Sequence, residues 1–213
     1  YYFPESMAKA SVDFGFRTVM CVAVNNFKES VEKLEKYYNT YNNYNDLISY
    51  KLGFHAEYTT KREILEGISE LAQKYKAPVF THSSETKSEV DGCIERYGKT
   101  PTELFEELGL WNYGGGGYHS VWLTDNDMQI YKKRGLWAVI NAGSNAKLAS
   151  GIADVQKMSD LGLNLAVGTD GPSSNNALDM FREMYLISVL QKLKHNDAAA
   201  MDANEILKAA TVG

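Results

Sequence analysis

The feature of this sequence that most constrains its fold is a repeated alternation. Short β-branched or apolar runs are each followed by a longer stretch with helical periodicity. Strands are predicted over Arg17 to Val24, Ile48 to Phe54, Pro78 to Thr81, Tyr118 to Trp122, Trp137 to Asn141 and Asn164 to Val167. Helices are predicted over Glu5 to Phe14, Lys28 to Tyr38, Lys61 to Tyr75, Ser88 to Tyr97, Asp125 to Arg134, Val155 to Leu161 and Leu178 to Leu193. Thr60 and Thr124 stand where an N-cap hydroxyl is needed, and Thr124 with Asp127 makes a near relative of the capping box. Gly135 and Gly162 fall just past helix ends, where a left-handed residue is required. Strands each followed by a helix mean successive βαβ units and a parallel sheet. A doubly wound sheet would carry a glycine fingerprint opening its first helix. The glycine cluster Gly114 to Gly117 instead precedes a strand. The expected fold is α/β, a (β/α)8 TIM-type barrel, with residues 1–213 as one partial barrel domain.

Composition removes several function classes. At 213 residues the chain can bury one sizeable core, and 44% hydrophobic with 23% charged residues is ordinary for a globular domain. A net charge of -5 without a clustered basic face leaves no footprint for nucleic acid. No apolar run approaches the ~20 residues that span a bilayer, so no membrane partner is expected. Cys21 and Cys93 are too few for a disulfide framework and are not spaced as a metal pair. Cys21, in an apolar run, is expected to be a buried and inert thiol, and the expected location is cytoplasmic. The chain begins at Tyr1 without a signal-peptide pattern and stops at Gly213 straight after the helical run Asn204 to Ala210. Both ends read as cut, so the sequence is expected to be a piece of a longer protein.

In such barrels the active site is built at the C-terminal ends of the strands. Three of the four histidines, His55, His82 and His119, fall at predicted strand ends, while His195 lies in a polar stretch and is expected to be solvated. Asp170 follows Ala166-Val167-Gly168-Thr169, and Glu85 comes three residues after His82. Singly, each has a plain structural explanation. A lone histidine at a strand end is more often structural, Asp170 before Gly171-Pro172 suits a turn, and Glu85 suits a helix N-terminus. Together they end four different strands of one repeating pattern, which chance explains poorly. Neutral imidazole and carboxylate are ligands for Zn²⁺, whose bound water ionises near pH ~7. Glu85 would then shuttle a proton, and His119 would hold the hydroxide or stabilise developing charge. His82 and Asp170 alone are two ligands, and a zinc site normally needs three or more.

The stretch His82-Ser83-Ser84-Glu85-Thr86-Lys87 resembles the His-x-x-Glu-Thr-Lys segment after the fifth barrel strand of the amidohydrolase superfamily. The likeness is greatest to the branch of methylthioadenosine/S-adenosylhomocysteine deaminases and triazine chlorohydrolases. It continues through His55-Ala56-Glu57-Tyr58-Thr59, His119-Ser120-Val121-Trp122-Leu123-Thr124 and Ser144-Asn145-Ala146-Lys147-Leu148-Ala149-Ser150-Gly151. Gly168-Thr169-Asp170-Gly171, Ser174-Asn175-Asn176 and Asp179-Met180 complete the ordered set. The resemblance implies that His82 and Asp170 are metal ligands, with Asp170 also taking a proton from the attacking water. It implies that Glu85 protonates the substrate's ring nitrogen and that His119 orients the hydroxide or the tetrahedral intermediate. His55 would contact the substrate ring, and Asn175 or Asn176 would lie at the pocket rim. The implied cofactor is one Zn²⁺, with Fe or Mn as alternatives.

Several departures qualify these expectations. The branch carries a His-x-His pair at its first strand, and this sequence has none. The match begins at Tyr1-Tyr2-Phe3-Pro4, which resembles the segment after the family's second strand, so the first strand and the flanking β-sandwich are expected to be missing. Ile140-Asn141-Ala142-Gly143 stands where relatives often have His-Asn-Pro, and Lys28 and Arg62 are candidate substrate grips without a clear match. The expected function is metal-dependent deamination of a purine nucleoside or related N-heterocycle, with this piece inactive and binding metal weakly or not at all. The alternatives are a triazine-type chlorohydrolase and a catalytically dead barrel acting as a binding module. The expected partners are a small-molecule substrate and further copies of the chain in a homo-oligomer. An incomplete barrel would also expose unpaired strand edges, to be covered by a partner, an exchanged segment or a rearranged end.

Overall fold

A computed structural model describes residues 3–212. Its strands are β1 (Thr18–Cys21), β2 (Ile48–Gly53), β3 (Val79–Ser83), β4 (Gly115–His119), β5 (Trp137–Ile140) and β6 (Asn164–Val167). Its helices are α1 (Pro4–Asp13), α2 (Val31–Tyr41), α3 (Arg62–Tyr75), α4 (Lys87–Tyr97), α5 (Pro101–Glu107) and α6 (Asp125–Arg134). They continue as α7 (Ala142–Lys147), α8 (Val155–Asp160), α9 (Pro172–Asn175), α10 (Met180–His195) and α11 (Ala203–Thr211). The alternation read from the sequence is present. Tyr1, Tyr2 and Gly213, on which part of the terminal reading rested, lie outside the described residues.

The chain divides into two compact units. The first comprises Tyr1–Thr81 and Phe105–Gly115. Here β1, β2 and β3 are neighbours in chain order and parallel, with Thr18 opposite Ile48 and Leu52 opposite Val79. On α3, Leu65, Ile68, Ser69 and Ala72 are buried at the i, i+3, i+4, i+7 spacing of one apolar face. That unit's core includes Met20, Leu34, Leu52 and Trp111, with the Phe105 ring edge-on to both Trp111 and Phe54. Cys21 is half-buried, less than expected, and desolvation pushes its thiol up to about 12.

The second unit comprises His82–Leu104 and Gly116–Gly213. Strands β4, β5 and β6 follow in chain order, all parallel, with Gly117 opposite Ala138 and Ile140 opposite Val167. Strand β6 pairs only with β5 among the described residues, and its residues are half-buried or exposed. Thr124 caps α6 in a complete capping box with Asp127, and Gly135 closes that helix in the left-handed conformation.

Four expectations need correction. Strand β4 is not Tyr118 to Trp122 but Gly115–His119, because the glycine cluster is the strand itself. A Cβ on Gly117 would lie 2.2 Å from the Tyr131 hydroxyl, so this strand needs bare backbone. The N-cap of α3 is Lys61, leaving the Thr60 hydroxyl buried without a partner. Arg62 is engaged by Glu66 and Glu107 on an exposed helix face, which argues against a substrate grip. His195 is exposed yet tied to Asp154 at 2.9 Å, not simply solvated.

Candidate active site

Within the second unit, four non-glycine residues at strand ends have positive φ: Ser84 (53°), His119 (72°), Ser120 (51°) and Asp170 (57°). Such conformations cost of order 1 kcal/mol or more and persist where surrounding contacts enforce them. They turn the chain abruptly after β3, β4 and β6 and so decide where its polar side chains point. The β3 turn and the segment after β4 are tied together, since Ser120 and Trp122 donate backbone N–H groups to the carbonyls of Ser83 and Ser84.

The side chains gather accordingly. The His82 ring stacks on that of His119 with centroids 5.3 Å apart and planes 27° apart. The Oε2 of Glu85 lies 3.7 Å from Nε2 of His119, which is only 2% exposed. The other face of the His119 imidazole is fixed by Asn145, whose Oδ1 accepts from Nδ1 at 2.8 Å. That bond engages Nδ1 and turns Nε2 towards Glu85. Asn141, in the sequence that departs from the family's pattern, brings its amide to 3.5 Å from the same Nδ1.

Asp170 is held as tightly. Its Oδ2 accepts from the hydroxyls of Ser144 at 2.7 Å and Ser174 at 2.6 Å, and its Oδ1 from the N–H of Gly171 at 2.7 Å. Burial works to raise this carboxyl, but the three hydrogen bonds and the nearby His119 imidazole prevail and hold it below the usual carboxylate range. Asp170 is therefore an anion at neutral pH. Glu85 is held more loosely: Ser150 Oγ donates to its Oε1 at 3.3 Å. Beyond Ser150 a cavity of 410 Å³ opens, lined by Val121, Trp122, Gly151, Ile152, Leu193 and Lys194.

Asn175 is 2% exposed rather than at an open rim. Its amide donates to the Thr169 carbonyl at 2.6 Å and to Glu183 at 2.8 Å, while its Oδ1 is buried without a partner. His55 belongs to the first unit. It follows β2, with Nδ1 2.8 Å from the Thr59 hydroxyl and its ring edge-on to Tyr58. Among the described residues, no group of three or more His, Cys, Asp or Glu lies close enough together to hold a metal ion. These donors therefore do not complete a zinc site by themselves.

A family model of the amidohydrolases matches residues 2–213. The chain belongs to the amidohydrolase family. It is 40% identical over 220 residues to a 5-methylthioadenosine/S-adenosylhomocysteine deaminase of Pyrococcus furiosus, aligning 100% of this chain with 52% of that protein. A solved adenosine deaminase from Xanthomonas campestris with bound zinc superposes with a TM-score of 0.92 at 31% identity, covering 100% of this chain and 50% of that one. An atrazine chlorohydrolase from Arthrobacter aurescens TC1 complexed with zinc superposes at 0.84 with 18% identity, over 98% of this chain and 50% of that one, a likeness of fold alone. This amidohydrolase chain thus spans about half the length of the relatives it matches. Its six strands are part of a (β/α)8 TIM-type barrel.

Sequence reasoning assigned no role to the residues that hold the candidate side chains in place: Ser144, Asn145, Ser150, Ser174, Glu89 and Glu183. Ser144 and Asn145 lie in a stretch that carried the resemblance, yet nothing in their spacing announces contacts 26 residues away in opposite directions along the chain. Glu89 had a local signal, because Thr86-x-x-Glu89 is a capping-box pattern.

Proposed function

We propose that this chain supplies the proton-transfer side of the active site in a metal-dependent hydrolase that deaminates a purine nucleoside or a related amino-substituted N-heterocycle. In that reaction a water oxygen bonds to the ring carbon and the carbon–nitrogen bond to the amino group breaks. One of the water's protons ends on the neighbouring ring nitrogen and the other leaves with the amine as ammonia. Glu85 passes the first proton, and Asp170, an anion at neutral pH, takes the second and hands it to the departing amine. His119 presents its Nε2 to the adduct, and His55 contacts the substrate ring. A bound Zn²⁺ would supply a water acidified towards pH ~7. His82 and Asp170 are the donors this chain would offer it, and the remaining ligands come from residues outside this sequence.

The observation that carries the reading is the arrangement around His119: Nδ1–H committed to Asn145 and Nε2 facing the Glu85 carboxylate at 3.7 Å. The names of the relatives suggest the substrates to try. The test compares metal content and ammonia release from adenosine, 5-methylthioadenosine and S-adenosylhomocysteine for this chain alone and for the full-length protein that contains it. The full-length protein is expected to bind metal and turn over at least one of these, and the isolated chain to do neither. Turnover by the isolated chain, or a full-length protein that takes up no metal, would overturn the proposal. Release of chloride from a chlorotriazine without deamination would move the assignment to the chlorohydrolase alternative.

A further inference from the structure

Glu85 lies on a turn between β3 and α4, and its own side chain receives one long hydrogen bond, from Ser150 at 3.3 Å. Its placement therefore depends on the backbone that carries it. That backbone is gripped from an unexpected direction. The carboxylate of Glu89, one turn into α4 and 4% exposed, accepts the N–H of Ser84 through Oε1 at 3.0 Å and the N–H of Glu85 through Oε2 at 2.8 Å. Thr86, the N-cap, accepts the Glu89 N–H at 3.2 Å, an ordinary helix cap. In an ordinary capping box the carboxylate reaches back only to the N-cap residue. Here it serves not only Thr86 but also the two preceding N–H groups, whose convergence depends on the left-handed Ser84, a nest for an anion that the chain fills with its own carboxylate.

The geometry points to Glu89 as a positioning residue that sets the Glu85 carboxylate against its substrate, beyond its service as a helix cap. This inference rests on the reading of Glu85 as the proton-transferring acid. Two further observations support it. The turn that Glu89 holds also receives the N–H groups of Ser120 and Trp122, so the same clamp registers Glu85 against the segment that follows His119. Burial also pushes the Glu89 carboxyl up to about 7, which makes an ionisable side chain here an expensive choice if capping were its whole purpose.

The test is a double-mutant cycle in the full-length protein with kcat, KM and thermal melting measured throughout. Glu89→Gln keeps the volume and one acceptor but sets an amide NH₂ against the second N–H. It is expected to lower kcat by about 10- to 100-fold, the scale of a misplacement near 1 Å, with KM changed less than threefold. In a Glu85→Gln background the same change should cost nothing further. Thr86→Ala, which removes the hydroxyl cap and leaves the carboxylate, should lower the melting temperature without lowering kcat. Should Glu89→Gln fail to fold, Glu89→Asp, whose shorter reach serves one N–H, carries the same expectation. Equal losses of kcat in the two backgrounds, or a normal kcat in Glu89→Gln, would overturn the positioning role. Full activity in Glu85→Gln alone would instead remove the reading of the site on which it rests.

Discussion

The Nδ1–H of His119 donates to Oδ1 of Asn145 at 2.8 Å, and the residue before Asn145, Ser144, donates to Asp170 at 2.7 Å. One turn of the short helix α7 thus orients two strand-end side chains of the candidate site. Residues in such supporting positions typically cost 10- to 100-fold when removed. Asn145→Leu should lower kcat by about that factor, because the imidazole loses the acceptor that fixes its tautomer. Asn145→Asp, which keeps an acceptor, should lose less. Steady-state kinetics of the full-length protein decide the matter, and a leucine variant as fast as the parent would remove Asn145 from the account.

A second expectation concerns stability. Gly115 has φ of +121° and lies against the β3 backbone, where an added Cβ would sit 1.8 Å from the carbonyl oxygen of Val79. Backbone cannot give way as a flexible side chain does. Gly115→Ala should cost at least about 3 kcal/mol, combining a forbidden conformation with overpacking. Urea unfolding reads this directly, and a loss below 1 kcal/mol would show that the strand can shift.

The third is a pH dependence. Glu89 has a carboxyl near 7 in the folded chain against 4.5 for an ordinary glutamate, with burial as the main cause. Between these values the folded state binds more protons than the unfolded state, so this group's contribution is retained below pH 4.5 and lost as pH rises towards 7. The whole loss is on the order of 3 kcal/mol. Glu89→Gln removes it. The stability of that variant relative to the parent should climb between pH 4.5 and 7 and then level off. A difference that stays flat across the window in urea titrations would contradict the assignment.

The parallel strand–helix repeat and the positions of His82, Glu85, His119 and Asp170 were legible because period and chain order are local properties of sequence. Strand β4 was misplaced because glycine signals a turn when its surroundings are unknown, whereas between neighbouring backbones it is what permits a strand. Helix α7 was missed because Ala-Gly-Ser-Asn-Ala-Lys is short, aperiodic and poor in helix formers; contacts such as Gly143 N–H to Glu183 hold it. Helix α5 was overlooked although Thr100 and Glu103 bond reciprocally at its start, a signal present in the sequence. The grip of Asn145 on His119 and that of Ser144 on Asp170 were not legible, since each joins residues 26 positions apart.

The left-handed residues at the strand ends set a limit on how this protein can adapt to heat. Glycine at Ser84, whose hydroxyl is buried without a partner, would relieve local strain, whereas the same relief at His119 or Asp170 deletes a side chain the proposed reaction uses. At those two places selection for endurance has little to gain, because stranding Asn145, Ser144 and Ser174 offsets the relief of the backbone.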